Sequence, residues 1–322
     1  MIRIRPRSPR VSLCCEALFE RGFGLGNRLF PWARARIFAS ANQIPMLAPR
    51  WVSPRISPLL QKGAEIHTYP RQVLLIGQLK PRGEDVTGLT RSIIKHRSEI
   101  HPEPSAFSAK LARRFGPGRH LIRFEGDLTG SGRFRAIHGH DEFIRAELRA
   151  ITRQRWLDVA DRTRDAPIGI HVRLGDFRAG PAGSFRNKDG DFIGAMRTPL
   201  QWYVDTLRVI RETLGSPWPA FVVANGTGQD IVPLLEMEAV TFVRSQSPIS
   251  DMWSLAHCRV LMASVGSSFS AWSSYLGQMP TVVYPLPEAH AFPIENRHGI
   301  YNGLFDPDRP DPAFLRSLEP YK

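Results

Sequence analysis

The amino-acid sequence predicts an α/β protein whose second half is a doubly wound parallel sheet, and three observations carry that prediction. From Ala166 onward, short apolar runs at 168–173, 221–225, 240–243, 260–263 and 281–284 alternate with helical patterns at 199–214, 230–236, 249–257 and 269–276. Such alternation builds a parallel sheet with helices on both faces, and strands buried on both faces read as continuous apolar runs. The first run ends in His171, Arg173 and Asp176, polar residues placed where an open α/β sheet binds ligands, just beyond the carboxyl ends of its strands. Finally, 322 residues are too many for one small core and fit two domains, with 161–167 as the junction.

The first half is less regular. After a basic start (Arg3, Arg5, Arg7, Arg10), residues 11–18 form an apolar strand that leads into Gly24-Leu25-Gly26-Asn27-Arg28-Leu29-Phe30 and a helix over 27–41. Strand, glycine loop and helix suit a phosphate, because glycines let the backbone approach and a helix N terminus offers unpaired N–H groups. The spacing is not GxGxxG, and a tight turn explains the glycines equally well. Pro31 falls in the first helical turn, where it is tolerated. Residues 45–76 alternate apolar pieces with prolines and end in strands at 65–69 and 72–76. The segment 91–105 is polar, with His96 and His101 read as surface residues. A strand at 119–124, a His138-Gly139-His140-Asp141 loop without a partner cluster for a metal, and an amphipathic helix over 142–160 follow.

The second half holds the chemistry. Arg173 is a planar fork of donors suited to phosphate. His171 can hydrogen-bond a base or sugar, and Asp176 can orient either; an ordinary buried ion pair is the plain alternative. Asp251 opens the helix before the fourth strand. The loop Ser264-Val265-Gly266-Ser267-Ser268-Phe269-Ser270 feeds the next helix, where Ser267 and Ser268 serve as helix caps, as anion ligands, or as both.

Composition narrows the function classes. The chain carries 43 Lys and Arg against 30 Asp and Glu, a formal charge of +13, which points to an anionic partner. Arginine dominates, and no long basic stripe with interleaved aromatics exists, so nucleic acid is a minor option. Three cysteines (Cys14, Cys15 and Cys258) make neither a disulfide framework nor a four-ligand metal site, which fits a reducing compartment. Glu16 interrupts the apolar stretch that would otherwise mimic a signal peptide, and no run is long enough to span a membrane.

Three stretches together resemble one family. Gly24 to Phe30 resembles the GxGNQxF opening of the bacterial α-1,2-fucosyltransferases. His171 to Asp176 resembles the His-x-Arg-Arg-x-Asp motif shared by α-1,2-, α-1,6- and protein O-fucosyltransferases. Asp251 to Trp272 resembles that family's acidic helix start followed by a Ser/Thr-Phe-Ser-x-Trp turn. The resemblance implies two Rossmann-like domains facing a cleft, the GT-B architecture. A basic tail over 1–10 would precede an acceptor-side domain over 11–160 and a GDP-sugar domain over 161–322. It implies an inverting transfer from GDP-fucose to a glycan hydroxyl, with no cofactor and no metal. Arg173 would pair with the β-phosphate, His171 and Asp251 would contact guanine or ribose, and Ser267 and Ser268 would bind phosphate. Gly24, Gly26 and Asn27 would approach from the other side of the cleft. Asp176, Asp189 and Asp191 are the candidates for a general base, with a structural role as the alternative for Asp176. The expected setting is cytoplasmic, with the basic N terminus drawn to an anionic inner membrane that carries lipid-linked acceptors for surface polysaccharide.

Departures from the pattern matter. Leu174 stands where the motif has its second arginine, so one cation is expected to be missing from the diphosphate site. Arg28 replaces the usual glutamine and is expected to supply that charge. Gly266 stands where a polar residue is usual. The alternatives are transfer from another GDP-sugar and a non-catalytic nucleotide- or glycan-binding relative.

Overall fold

A computed structural model describes residues 12–19, 24–47, 51, 90–96, 113, 119–125, 132–175, 177, 196–244, 247–286 and 300–321. The chain divides into two units, Met1–Trp51 with Lys80–Glu147, and Val52–Leu79 with Leu148–Lys322. The expected strands at 65–69 and 72–76 lie outside the described residues.

The first unit holds β1 (Ser12–Ala17), α1 (Leu25–Ala41), β2 (Thr90–His96), β3 (Arg119–Phe124) and the short α2 (Gly132–Arg135). β3 lies between β1 and β2, and both pairings are parallel. Glu16 and Arg123 face each other in register and close a 2.5 Å ion pair across the strands. α1 is buried on nearly every side, through Leu29, Phe30, Trp32, Ala33, Ala35 and Phe38. It starts earlier than the sequence indicates, with Gly24 as its N-cap, so Pro31 falls beyond the first turn and costs the helix one internal N–H bond. The polar stretch after 90, for which the sequence gives no element, runs as a strand through His96.

α3 (Asp141–Ile151) and α4 (Gln154–Ala160) replace the single helix expected over 142–160. Thr152 explains the break. Its Oγ1 donates to Leu148 O at 2.7 Å, its N–H is shared between Leu148 O and Arg149 O, and Arg153 is extended. The division between units falls inside α3, earlier than the expected junction. Residues 161–167 are packed within the second unit, where Pro167 O accepts from Arg259 N at 2.7 Å.

The second unit is the Rossmann-like sheet that the sequence predicts, with one more strand. β4 (Ile168–Val172), β5 (Ala220–Ala224), β6 (Val240–Val243), β7 (Val260–Ala263), β8 (Thr281–Val283) and β9 (Asn302–Leu304) form a six-stranded parallel sheet in the order β6-β5-β4-β7-β8-β9. Besides α4, the second unit holds α5 (Leu200–Leu214), α6 (Val232–Leu235), α7 (Pro248–His257), α8 (Ser268–Gly277) and α9 (Pro312–Ser317) among the described residues. Alternation along the strands builds two cores. Ile168, Ile170 and Val172 of β4 join Ala220, Val222 and Ala224 of β5 under α5 and α9. Phe221 and Val223 of β5 pack on the opposite face with Leu255 of α7, Leu261 and Ala263.

α7 and α8 pack closely because their contacting residues are small. A Cβ on Gly277 would sit 2.5 Å from the Ala256 carbonyl oxygen and against Met279 Cε. The methionine tip can move, whereas the carbonyl moves only with α7. Gly277→Ala gains helix propensity of at most about 1 kcal/mol. Overpacking costs about 1–3 kcal/mol and outweighs it, so the variant is expected to be net destabilised in urea unfolding. An unchanged midpoint would show that the helices are free to separate.

Candidate functional site

β4 is the central strand of its neighbourhood. The chain leaves it toward β5 and β6 on one side and returns to β7, β8 and β9 on the other, so the strand order switches direction between β4 and β7. Ligands of doubly wound sheets bind outside the carboxyl ends at such a switch point. His171 and Arg173 end β4 there, and Ser264 to Ser268 connect β7 to α8 beside them.

Hydrogen bonds lock the two strand ends together. Arg173 N donates to Ser264 Oγ at 2.8 Å, and Ser264 Oγ and Tyr203 OH approach His171 O at 2.8 and 2.9 Å. Burial holds the Tyr203 phenol up at about 12, so it stays a neutral hydroxyl. His171 is 3% exposed, its Nδ1 lies 2.6 Å from Ser270 Oγ, and its ring lies against Phe269. Burial, with a contribution from the Arg173 charge, pushes the imidazole down to about 3, so His171 is neutral at ordinary pH. The Arg173 guanidinium stacks over Phe177 at 5.5 Å. Ser267 caps α8 by accepting from Ser270 N, and Ser268 is the helix's first residue. This N terminus carries no acidic residue in its first turn, which leaves its N–H groups and dipole suited to an anion.

The turn that follows β4 is clamped from two sides. Asn225, at the end of β5, accepts from Leu174 N at 2.6 Å and Gly175 N at 3.3 Å. Arg197 Nε donates to Leu174 O at 3.0 Å and Phe177 O at 2.7 Å. Sequence reading missed Asn225, Arg197, Tyr203 and the linking roles of Ser264 and Ser270. Only a polar residue ending a strand hinted at Asn225, and nothing in the spacing marks the others.

Leu174 corrects an expectation. It continues the alternation of β4 into the core that holds Val172, and a Cβ on Gly226 would lie 2.5 Å from its Cδ1. The position of the motif's second arginine is therefore held in an apolar core in this chain. Arg28, expected to supply a charge to the donor site, belongs to α1. It is 4% exposed within the first unit, donates from Nη1 to Trp51 O at 2.7 Å and packs over Phe19. Gly26 lies inside the first turn of α1 rather than in a loop, next to Asn27, with Gly24 ahead of them as the N-cap. Asp251 sits in the first turn of α7, 2% exposed, behind a Ser247 cap. Asp176, Asp189 and Asp191 lie outside the described residues. Among the described residues, no three His, Cys, Asp or Glu side chains come together as metal ligands, and no helix is long and apolar enough to cross a membrane.

Two outcomes follow from this geometry. Leu174→Arg gives up a buried leucine and forces a charge into an apolar core, costing about 3 kcal/mol or more; thermal unfolding should show the loss and calorimetry no tighter binding of GDP. A stable variant that binds GDP better would place position 174 at the ligand. His171 takes up a proton near 6.5 when unfolded but only near 3 when folded. Its contribution is therefore intact above pH 6.5 and is lost as pH falls toward 3, by up to about 1.4 kcal/mol per pH unit. Urea unfolding of the wild type and His171→Asn at pH 7 and pH 5 should show a steeper acid loss in the wild type. Equal losses would mean that the imidazole protonates in the folded chain.

No family model matches the chain, and no curated protein matches it. Among solved structures it is similar to a mutant of Arabidopsis thaliana FUT1 in complex with GDP, at 14% identity, covering 87% of this chain and 72% of that chain with a TM-score of 0.43. It is also similar to the α-1,6-fucosyltransferase NodZ soaked with GDP-fucose, at 15% identity, 87% and 97% coverage and a TM-score of 0.48; NodZ is a Bradyrhizobium protein. POFUT1 in complex with GDP matches at 11% identity, 86% and 99% coverage and a TM-score of 0.43. The likeness is one of α/β architecture, and the chemistry of the site rests on this chain's own residues.

Proposed function

We propose that the chain is an inverting fucosyltransferase that moves fucose from GDP-fucose to a glycan hydroxyl. The observation that supports this reading most directly is the position of Arg173. It lies at the carboxyl end of β4, at the switch point of the sheet, and its backbone is bonded to the loop that opens α8. The three motif stretches that resemble fucosyltransferases add the identity of the sugar and nucleotide. Two units with parallel sheets are the parts that a GT-B enzyme requires.

In this reading Arg173 pairs with the β-phosphate and stabilises the charge that builds on GDP as the bond from the anomeric carbon breaks. The N–H groups at the start of α8 and the Ser267 and Ser268 hydroxyls take the phosphates, Asp251 holds the nucleoside or sugar, and His171 donates to the nucleoside, the sugar or the phosphate oxygen beside Arg173. An acceptor hydroxyl attacks in line from the opposite face and gives its proton to a base or to solvent. Asp176 is the carboxylate nearest to Arg173 in sequence and is proposed for that base. Gly24, Gly26 and Asn27 are proposed for the donor's other side; Arg28, held by Trp51, is assigned to positioning α1. An α-1,2 linkage, a lipid-linked acceptor and attachment of the basic N terminus to an anionic membrane complete the proposal.

Thermal unfolding with GDP, GDP-fucose, UDP and dTDP, with and without EDTA, tests the donor site. A ligand at about a hundred times its dissociation constant stabilises the folded state by about 2.7 kcal/mol. The expected result is a shift with the two guanine ligands alone, insensitive to EDTA and lost in Arg173→Ala. Release of GDP from GDP-fucose with a glycan acceptor then separates an enzyme from a binding protein. No shift with either guanine ligand would withdraw the reading.

A further inference from the structure

We infer that Ser270 is a positioning residue that fixes His171 as its Nε2–H tautomer, so that the ring meets its ligand as a neutral hydrogen-bond donor beside Arg173. The assignment comes from counting hydrogens in a sealed network. Ser270 is 1% exposed, and its Oγ accepts from Ser264 N at 3.2 Å while lying 2.6 Å from His171 Nδ1. A hydroxyl has one hydrogen and two lone pairs, and the Ser264 amide already occupies one of the latter. If Nδ1 carried the ring proton, Ser270 Oγ would accept twice and its own hydrogen would be buried with no acceptor among the described residues. With Nδ1 bare, Ser270 donates to it, every group in the network is satisfied, and the ring proton sits on Nε2.

The surroundings hold that arrangement in place. Ser264 Oγ and Tyr203 OH flank His171 O and lie 2.9 Å from each other, which anchors the backbone, and the Phe269 ring limits the swing of the imidazole. Nε2 meets no hydrogen-bond partner among the described residues. An N–H next to a guanidinium, with no acceptor contributed by the ring, complements an anionic oxygen. His171 therefore acts as a donor to the ligand and takes no proton from an attacking hydroxyl. The nucleotide identity of the ligand rests on the proposed function, whereas the tautomer stands without it.

The experiment is a two-bond proton–nitrogen correlation on the 15N-histidine-labelled full chain, with the His171 ring identified by its loss in His171→Asn. The expected wild-type spectrum has a bare Nδ1 and a protonated Nε2. Protonation at Nδ1 in the wild type overturns the inference, and this arm needs no variant to fold and no nucleotide to bind. Ser270→Ala, with folding checked by its unfolding transition, is expected to give a mixture of tautomers and to weaken inorganic pyrophosphate binding about tenfold. A single unchanged tautomer in that variant overturns the role of Ser270. Pyrophosphate is expected to shift Nε2 and its proton in the wild type more than Nδ1, and a spectrum insensitive to it overturns the ligand assignment. A chain that shows the Nε2–H tautomer and the pyrophosphate shift yet ignores guanine nucleotides keeps this inference and loses the fucosyltransferase reading.

Discussion

The alternation of side chains along β4 is the constraint on which the second unit depends. Ile168, Ile170, Val172 and Leu174 enter one core, while the Gly169 side of the strand packs against α7, where a Cβ would come within 2.9 Å of Cys258 Sγ. A slip of one residue would exchange the two sets. It would drive His171 and Arg173 into the core under α5 and bring aliphatic side chains against Cys258, so the strand has one register. The functional residues inherit their direction from that packing rather than from anything they bind.

Serine carries much of the remaining specification. Ser250 Oγ donates to Trp156 O and Ser254 Oγ to Ala160 O, which ties α7 to α4, while Ser274 meets Thr281 under the sheet. Each hydroxyl is small enough for close helix approach and finds a partner, which buried polar groups require. The same device at the strand ends, through Ser264 and Ser270, turns packing into a fixed ring orientation for His171. A run of serines in the sequence signals an anion loop, and only Ser267 and Ser268 lie where that reading needs them. The others fasten elements to one another.

β4, β5, β7 and β8 were legible because burial on both faces leaves continuous apolar runs. β9 was not, since Asn302, Gly303 and Leu304 make too short an edge strand to show any pattern. β2 escaped for a different reason: Thr90, Arg91, Ser92, Lys95 and His96 are polar, and only pairing with β3 makes the segment a strand. The break at Thr152 depends on a side chain bonding back to Leu148, which helical periodicity does not register. Arginine was the most misleading signal, because charge alone points outward to a ligand. Arg28, Arg34, Arg197 and Arg211 instead give N–H groups to the carbonyls of Trp51, Glu125, Leu174 and Trp218. Part of the chain's positive charge is therefore structural, and it is weaker evidence for an anionic partner than its size implies.

Leu174 packs with the β4 residues that enter the core under α5. Successive side chains of a strand point to opposite faces, and the core that holds Val172 also holds Leu174 just beyond the strand's end. The residue at 174 belongs to the fold's side of the strand, and leucine fills that role beside Gly226 without a buried charge to satisfy. Arg173 stands next to a helix N terminus worth about half an elementary charge. In the proposed reading a diphosphate meets neutral donors there as well as these charges, and the His171 ring, held by Ser270, is placed to be one of those donors.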